Sequence, residues 1–107
     1  MSELTRKQDS ITIKPQANIV ASNAEAFRGE LVGLIDEGTH HVIVDLEGVE
    51  RMDSVGLGVL VATHNSLTQT GRVLTVCNAS SDIMTLFRTL RLDKHFLITD
   101  VEKEMAL

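Results

Sequence analysis

Two rhythms of apolar residues alternate along this chain. Ile11-Thr12-Ile13-Lys14 places β-branched residues at every second position, the pattern of a half-buried strand. Leu4 to Lys7 carries a weaker strand signal, and the polar Gln8-Asp9-Ser10 between the two is a turn. A hairpin at the edge of a sheet is therefore expected. Pro15, the only proline, suits an edge because it has no N–H to give to a ladder. Ile19-Val20 prolongs the strand signal across Ala17 to Ala21. The rhythm then changes. Phe27, Leu31, Leu34 and Ile35 fall on one helical face, with Arg28, Glu30 and Glu37 turned outward. Ser22 and Glu25 have the spacing of a capping box at its start, and Gly38 is placed to end it in a left-handed cap.

The same alternation repeats downstream. Val42-Ile43-Val44 is a short continuous apolar run, as expected of a strand buried on both faces. A helix from Val55 to Thr70 follows, with Leu57, Leu60, Val61, His64 and Leu67 on one side and Gly71 at its end. Val73 to Cys77 is a further strand. Ser80-Ser81 can cap a short helix carrying Ile83, Leu86, Phe87 and Leu90. His95 to Thr99 is a last strand, and Asp100 can cap a terminal helical turn through Val101 and Met105. Strand and helix in alternation after a hairpin predict a single small α/β domain over residues 1–107. Its centre is a mixed, mostly parallel sheet of about four to five strands, with about four helices packed around it.

Composition narrows what such a domain can do. Aromatic residues make up 3% of the chain, all of them Phe, so platforms for stacking nucleic-acid bases are nearly absent. A formal net charge of −5 disfavours a phosphate backbone or an anionic membrane, and favours a basic partner surface. Neither direct nucleic-acid binding nor membrane insertion is expected. Cys77 is the only cysteine and lies in an apolar run, so no intrachain disulfide can form. With no apolar segment near the ~18 residues of a membrane span, a cytoplasmic setting is expected.

The chemistry concentrates in Met52-Asp53-Ser54-Val55-Gly56-Leu57-Gly58, a short loop between a strand and a helix start. A hydrolase nucleophile elbow needs glycine two residues before its serine, and Met52 stands there. A dinucleotide fingerprint needs a third glycine where Val61 stands, and no Gly-Lys-Ser/Thr ending is present. His40 and His41 are neighbours on a strand and point to opposite faces, so they cannot readily share a metal ion. Asp45, Glu47, Glu50 and Asp53 lack the spacing of a calcium loop. No catalytic residue, metal or cofactor is expected. Two readings of Ser54 remain: an ordinary helix cap, or a modified residue on a recognition surface. The helix start supplies unpaired N–H groups and a positive dipole end, which favour a phosphoryl charge, while adjacent Asp53 opposes it. Gly56 and Gly58 permit close approach at this turn.

Val42 to Val49 followed by Met52 to Leu60 resembles the signature of the STAS domain, the sulfate transporter and anti-sigma factor antagonist family. Gly71 to Val76, the Leu86-Phe87…Leu90…Leu92…Phe96 pattern and Ile19-Val20-Ala21-Ser22 resemble it too, over about residues 10–100. The resemblance implies a stand-alone bacterial anti-sigma factor antagonist, a binding switch without activity of its own. In such members the serine at Ser54 is phosphorylated by a serine kinase that is itself the anti-sigma factor. The unmodified antagonist binds that kinase and frees the sigma factor. Phosphorylation releases it, and a metal-dependent serine phosphatase restores it. The partner surface implied is Asp53, Ser54, Val55, Gly56, Leu57 and Gly58. The alternative is an unphosphorylated module of the same fold in a signalling scaffold or transport complex. Val20 stands where many antagonists carry an acid, and Val55 where a second Ser or Thr is common, which leaves Ser54 as the only hydroxyl in the motif.

Overall fold

In the computed structural model, residues 2–92 and 97–99 are described. Alternating Ile11 and Ile13 become strand β2 (Ser10–Lys14), paired antiparallel with β1 (Glu3–Lys7) across a two-residue turn. Helix α1 (Ala21–Asp36) leads to β3 (His41–Asp45), helix α2 (Ser54–Thr68) to β4 (Val73–Cys77), and helix α3 (Ser81–Thr89) to β5 (Leu97–Thr99). The sheet runs β1-β2-β3-β4-β5, with every pair after the hairpin parallel. This is the mixed, mostly parallel α/β architecture expected, with three helices among the described residues. The terminal helix expected through Asp100, Val101 and Met105, and the start of the last strand at His95-Phe96, lie outside the described residues.

The core joins one face of the sheet to the helices. Ile11, Ile13, Val42, Val44, Leu74 and Val76 meet Phe27, Leu31 and Leu34 of α1, Leu57, Leu60 and Leu67 of α2, and Ile83 and Phe87 of α3. Each such side chain contributes roughly 1.5–3 kcal/mol of burial. Arg72 ties the lower end together, its Nη1 donating to the carbonyls of Ile35 (2.9 Å) and Thr39 (3.3 Å).

Four local expectations are corrected. The hairpin lies at a sheet edge as expected, but its outer strand is β1, so Pro15 ends the inner strand β2 instead of lying on the edge. Strand β3 is not buried on both faces: Val42 and Val44 are fully buried, whereas His41, Ile43 and Asp45 are half-buried, because its second face is less completely covered. An uninterrupted Val-Ile-Val run cannot distinguish the two cases. Ile19-Val20 does not prolong a strand; Ile19 makes a single parallel bridge to Met52. Helix α1 starts one residue before Ser22, with Val20 as its N-cap, and Asn23 Oδ1 accepts from the Val20 N–H at 2.9 Å. Ser80 caps α3 as expected, its Oγ accepting from the Ile83 N–H at 3.2 Å.

Candidate functional site

Two loops meet at one end of the sheet, because the parallel strands β2 and β3 both deliver the chain there. The first, 15–20, enters α1; the second, 46–53, enters α2. Asn18 clamps them: its Oδ1 accepts from the N–H groups of Glu50 (3.0 Å) and Arg51 (2.9 Å). The Ile19 N–H donates to the Arg51 carbonyl at 3.0 Å, and the Asp53 N–H donates to the Ile19 carbonyl at 3.3 Å. Asn23 Nδ2 donates to the Asn18 carbonyl at 2.5 Å, closing the first loop on its own helix. The two helix starts are thereby held side by side.

Asp53 joins them. As N-cap of α2, its Oδ1 accepts from the N–H groups of Val55 and Gly56, each at 3.0 Å. Its Oδ2 accepts from the Ala21 N–H, the first residue of α1, at 2.9 Å. One carboxylate thus satisfies donors of two helices that would otherwise lack partners. These bonds hold its pKa below the ordinary carboxylate value, with the Gly56 N–H the largest cause and the Ala21 N–H next.

The cap position therefore belongs to Asp53, and Ser54 is the first residue of the helix proper. Ser54 is exposed, and among the described residues its hydroxyl makes no hydrogen bond. Of the two sequence readings, capping is excluded by the geometry. Val55 beside it is 48% exposed, a large apolar side chain at the surface. Gly58 is exposed, whereas Gly56 and Leu57 are buried.

The two glycines have different duties. A Cβ at Gly56 would strike the Ile19 carbonyl, and would lie 2.9 Å from Ile19 Cγ2 and 3.0 Å from Met52 Cγ. Gly56 therefore lets the α1 entrance lie against α2. A Cβ at Gly58 would meet nothing within 4 Å. Of the motif, Asp53, Ser54, Val55 and Gly58 form surface, and Gly56 and Leu57 set its shape.

Sequence reasoning missed Asn18 and Ala21, whose contacts with the second loop cross more than thirty residues of chain; no local pattern marks them. Val20 lines a shallow cleft with Glu50, Arg51, Met52, Asp53, Asp82 and Leu86. This cleft reaches Asp53, next to Ser54, and its charged residues are acidic apart from Arg51. Helix α2 carries no charged residue, so Val55, Gly58 and Ala62 present an uncharged outer surface beside it. The histidine pair is divided: His41 Nε2 lies 2.6 Å from Thr75 Oγ1, while His40 is exposed. Burial and the nearby His40 push the His41 pKa down.

A family model described as the STAS domain matches residues 2–105. The anti-sigma-B factor antagonist of Staphylococcus epidermidis is 44% identical over 57 residues, which are 53% of this chain and 53% of that protein. The chain thus matches about half the length of that relative. Among solved structures, one described as a candidate anti-sigma factor antagonist from Thermotoga maritima superposes with a TM-score of 0.90 at 20% identity, covering 98% of this chain and 92% of that one. The Bacillus cell fate determinant SpoIIAA in its phosphorylated form gives 0.75 at 18% identity, over 99% of this chain and 97% of that one. At these identities the structures speak for the fold.

Proposed function

The chain belongs to the STAS domain family, and from that premise we propose that it is an anti-sigma factor antagonist working as a phosphorylation-controlled binding switch. In its unmodified form it binds an anti-sigma factor serine kinase through Asp53, Ser54, Val55 and Gly58, and so frees the sigma factor. Phosphorylation of Ser54 releases the complex, and a serine phosphatase resets it. The chain itself catalyses nothing.

One observation carries the reading: Ser54 is exposed at a helix start whose cap is supplied by its neighbour. Its hydroxyl has no structural duty, so modification costs the fold nothing. A phosphoryl group would add about −1.5 to −2 charges at that point. Two positive helix ends favour it locally, and the Asp53 charge that opposes it is already engaged by three N–H groups. The cost falls on a partner packed against the uncharged Val55 and Gly58 surface, which would have to bury that charge. The likeness to the Staphylococcus antagonist and the SpoIIAA fold supports the same role.

The test is incubation with a cognate anti-sigma factor serine kinase and ATP, followed by mass spectrometry. A single phosphoryl group on Ser54, absent in Ser54→Ala, is expected, together with loss of the complex on modification. Binding without modification would favour the unphosphorylated scaffold module instead.

A further inference from the structure

Strand β1 is one edge of the described sheet, and all five of its residues are exposed. Lys7 and Ser10 flank the two-residue turn, which makes them a hydrogen-bonded pair. Alternate residues then face opposite ways: Glu3, Thr5 and Lys7 direct their N–H and C=O groups to β2, and Leu4 and Arg6 direct theirs outward. The other flank of β2 agrees, since the Asp9 carbonyl accepts from the His41 N–H of β3 at 3.0 Å.

Charges on an edge normally prevent strand pairing. Those of Glu3-Leu4-Thr5-Arg6-Lys7 are instead complementary to themselves when the strand is reversed. We propose that β1 pairs antiparallel with β1 of a second copy of this chain, about a two-fold axis through Thr5. Leu4 then lies opposite Arg6 of the second copy twice over, so all the outward backbone groups of both residues are paired. Glu3 lies opposite Lys7 of the second copy, also twice, on the less covered face of the sheet. Among the described residues neither Glu3 nor Lys7 has an ion-pair partner, whereas Arg6 is already held by Glu37 at 2.9 Å. The neighbouring registers are worse. Leu4 opposite itself forfeits both Glu3–Lys7 pairs, and Arg6 opposite itself confronts like charges. A five-residue strand buries much less than the ~1,600 Å² of a standard interface, so the association is concentration-dependent rather than obligate.

Sedimentation equilibrium of the full chain, at concentrations up to about 1 mM to match so small an interface, should show a monomer–dimer equilibrium that weakens with salt. Lys7→Glu should weaken it about tenfold, as should Glu3→Lys, and the double variant Glu3→Lys/Lys7→Glu should restore it. Thr5 faces itself in a non-hydrogen-bonded pair with Cα atoms about 4.5 Å apart, within reach of a disulfide. Thr5→Cys should therefore form a covalent dimer on oxidation far faster than Glu3→Cys. A chain that stays monomeric, a dimer indifferent to Lys7→Glu, or cross-linking no faster at position 5 than at position 3 would each overturn the proposal. Circular dichroism of every variant separates these outcomes from misfolding.

Discussion

Gly56 and Gly58 sit in the same turn of α2, and substitution should move stability in opposite directions. Gly56→Ala drives a methyl into the Ile19 backbone and should cost about 2 kcal/mol or more, overwhelming the helix propensity gained. Gly58→Ala meets open space and should stabilise by up to ~1 kcal/mol. Urea unfolding of the two variants decides it; destabilisation by both would mean that Gly58 also packs against something. Asp53 offers a second test, through pH. Its folded-state pKa lies below its unfolded value, so its contribution is fully present above the unfolded pKa of about 3.9 and is lost as pH falls through the folded value. Wild type should exceed Asp53→Ala in stability by a constant margin near neutral pH, and that margin should shrink below about pH 4. A margin unchanged down to pH 2 would show that the carboxylate charge plays no part in holding the two helix starts.

The elements were legible in the sequence wherever the signal was local. Alternation in Ile11–Lys14, the helical face of Phe27, Leu31 and Leu34, and Ser80 as a cap are all properties of a few consecutive residues, and each formed as expected. The cap of α1 misled because its signal was local and its solution is not. Ser22 and Glu25 have capping-box spacing, yet the Ala21 N–H is met by Asp53, thirty-two residues away. Substitution should expose the difference. Ser22→Ala should be neutral within about 0.5 kcal/mol, whereas Ser80→Ala should cost about 1 kcal/mol. Asn18→Ala removes the acceptor for two backbone N–H groups and should cost about 1–3 kcal/mol. Amide hydrogen exchange at Glu50 and Arg51 should accelerate in the same variant; unchanged protection there would mean that the clamp is not what orders the loop.

On the scale of the whole molecule, the parallel run of β2 and β3 explains why the site is where it is. Parallel strands release their loops at one end of the sheet, so the entrances of α1 and α2 must meet there. Sequence alternation revealed the parallel class, and the motif marked one of the two entrances. The contribution of the other, through Asn18 and Ala21, depends on register and became visible only in three dimensions. That shared frame also bears on how a switch at Ser54 would work. Asp53, the Ile19 bridge and Asn18 fix the surroundings of Ser54 independently of its own side chain. A negative charge at Ser54 should therefore leave the core undisturbed and act only on what docks outside. Ser54→Asp should keep the wild-type unfolding free energy within about 0.5 kcal/mol, because an anion in the first turn is favoured by the helix dipole. Its amide shift changes should be confined to the first turns of α1 and α2, while affinity for the proposed kinase partner falls at least tenfold. Shift changes reaching Val42, Val44 and Leu74 would point to a rearranged core, and hence to a switch that works by changing the fold rather than the surface.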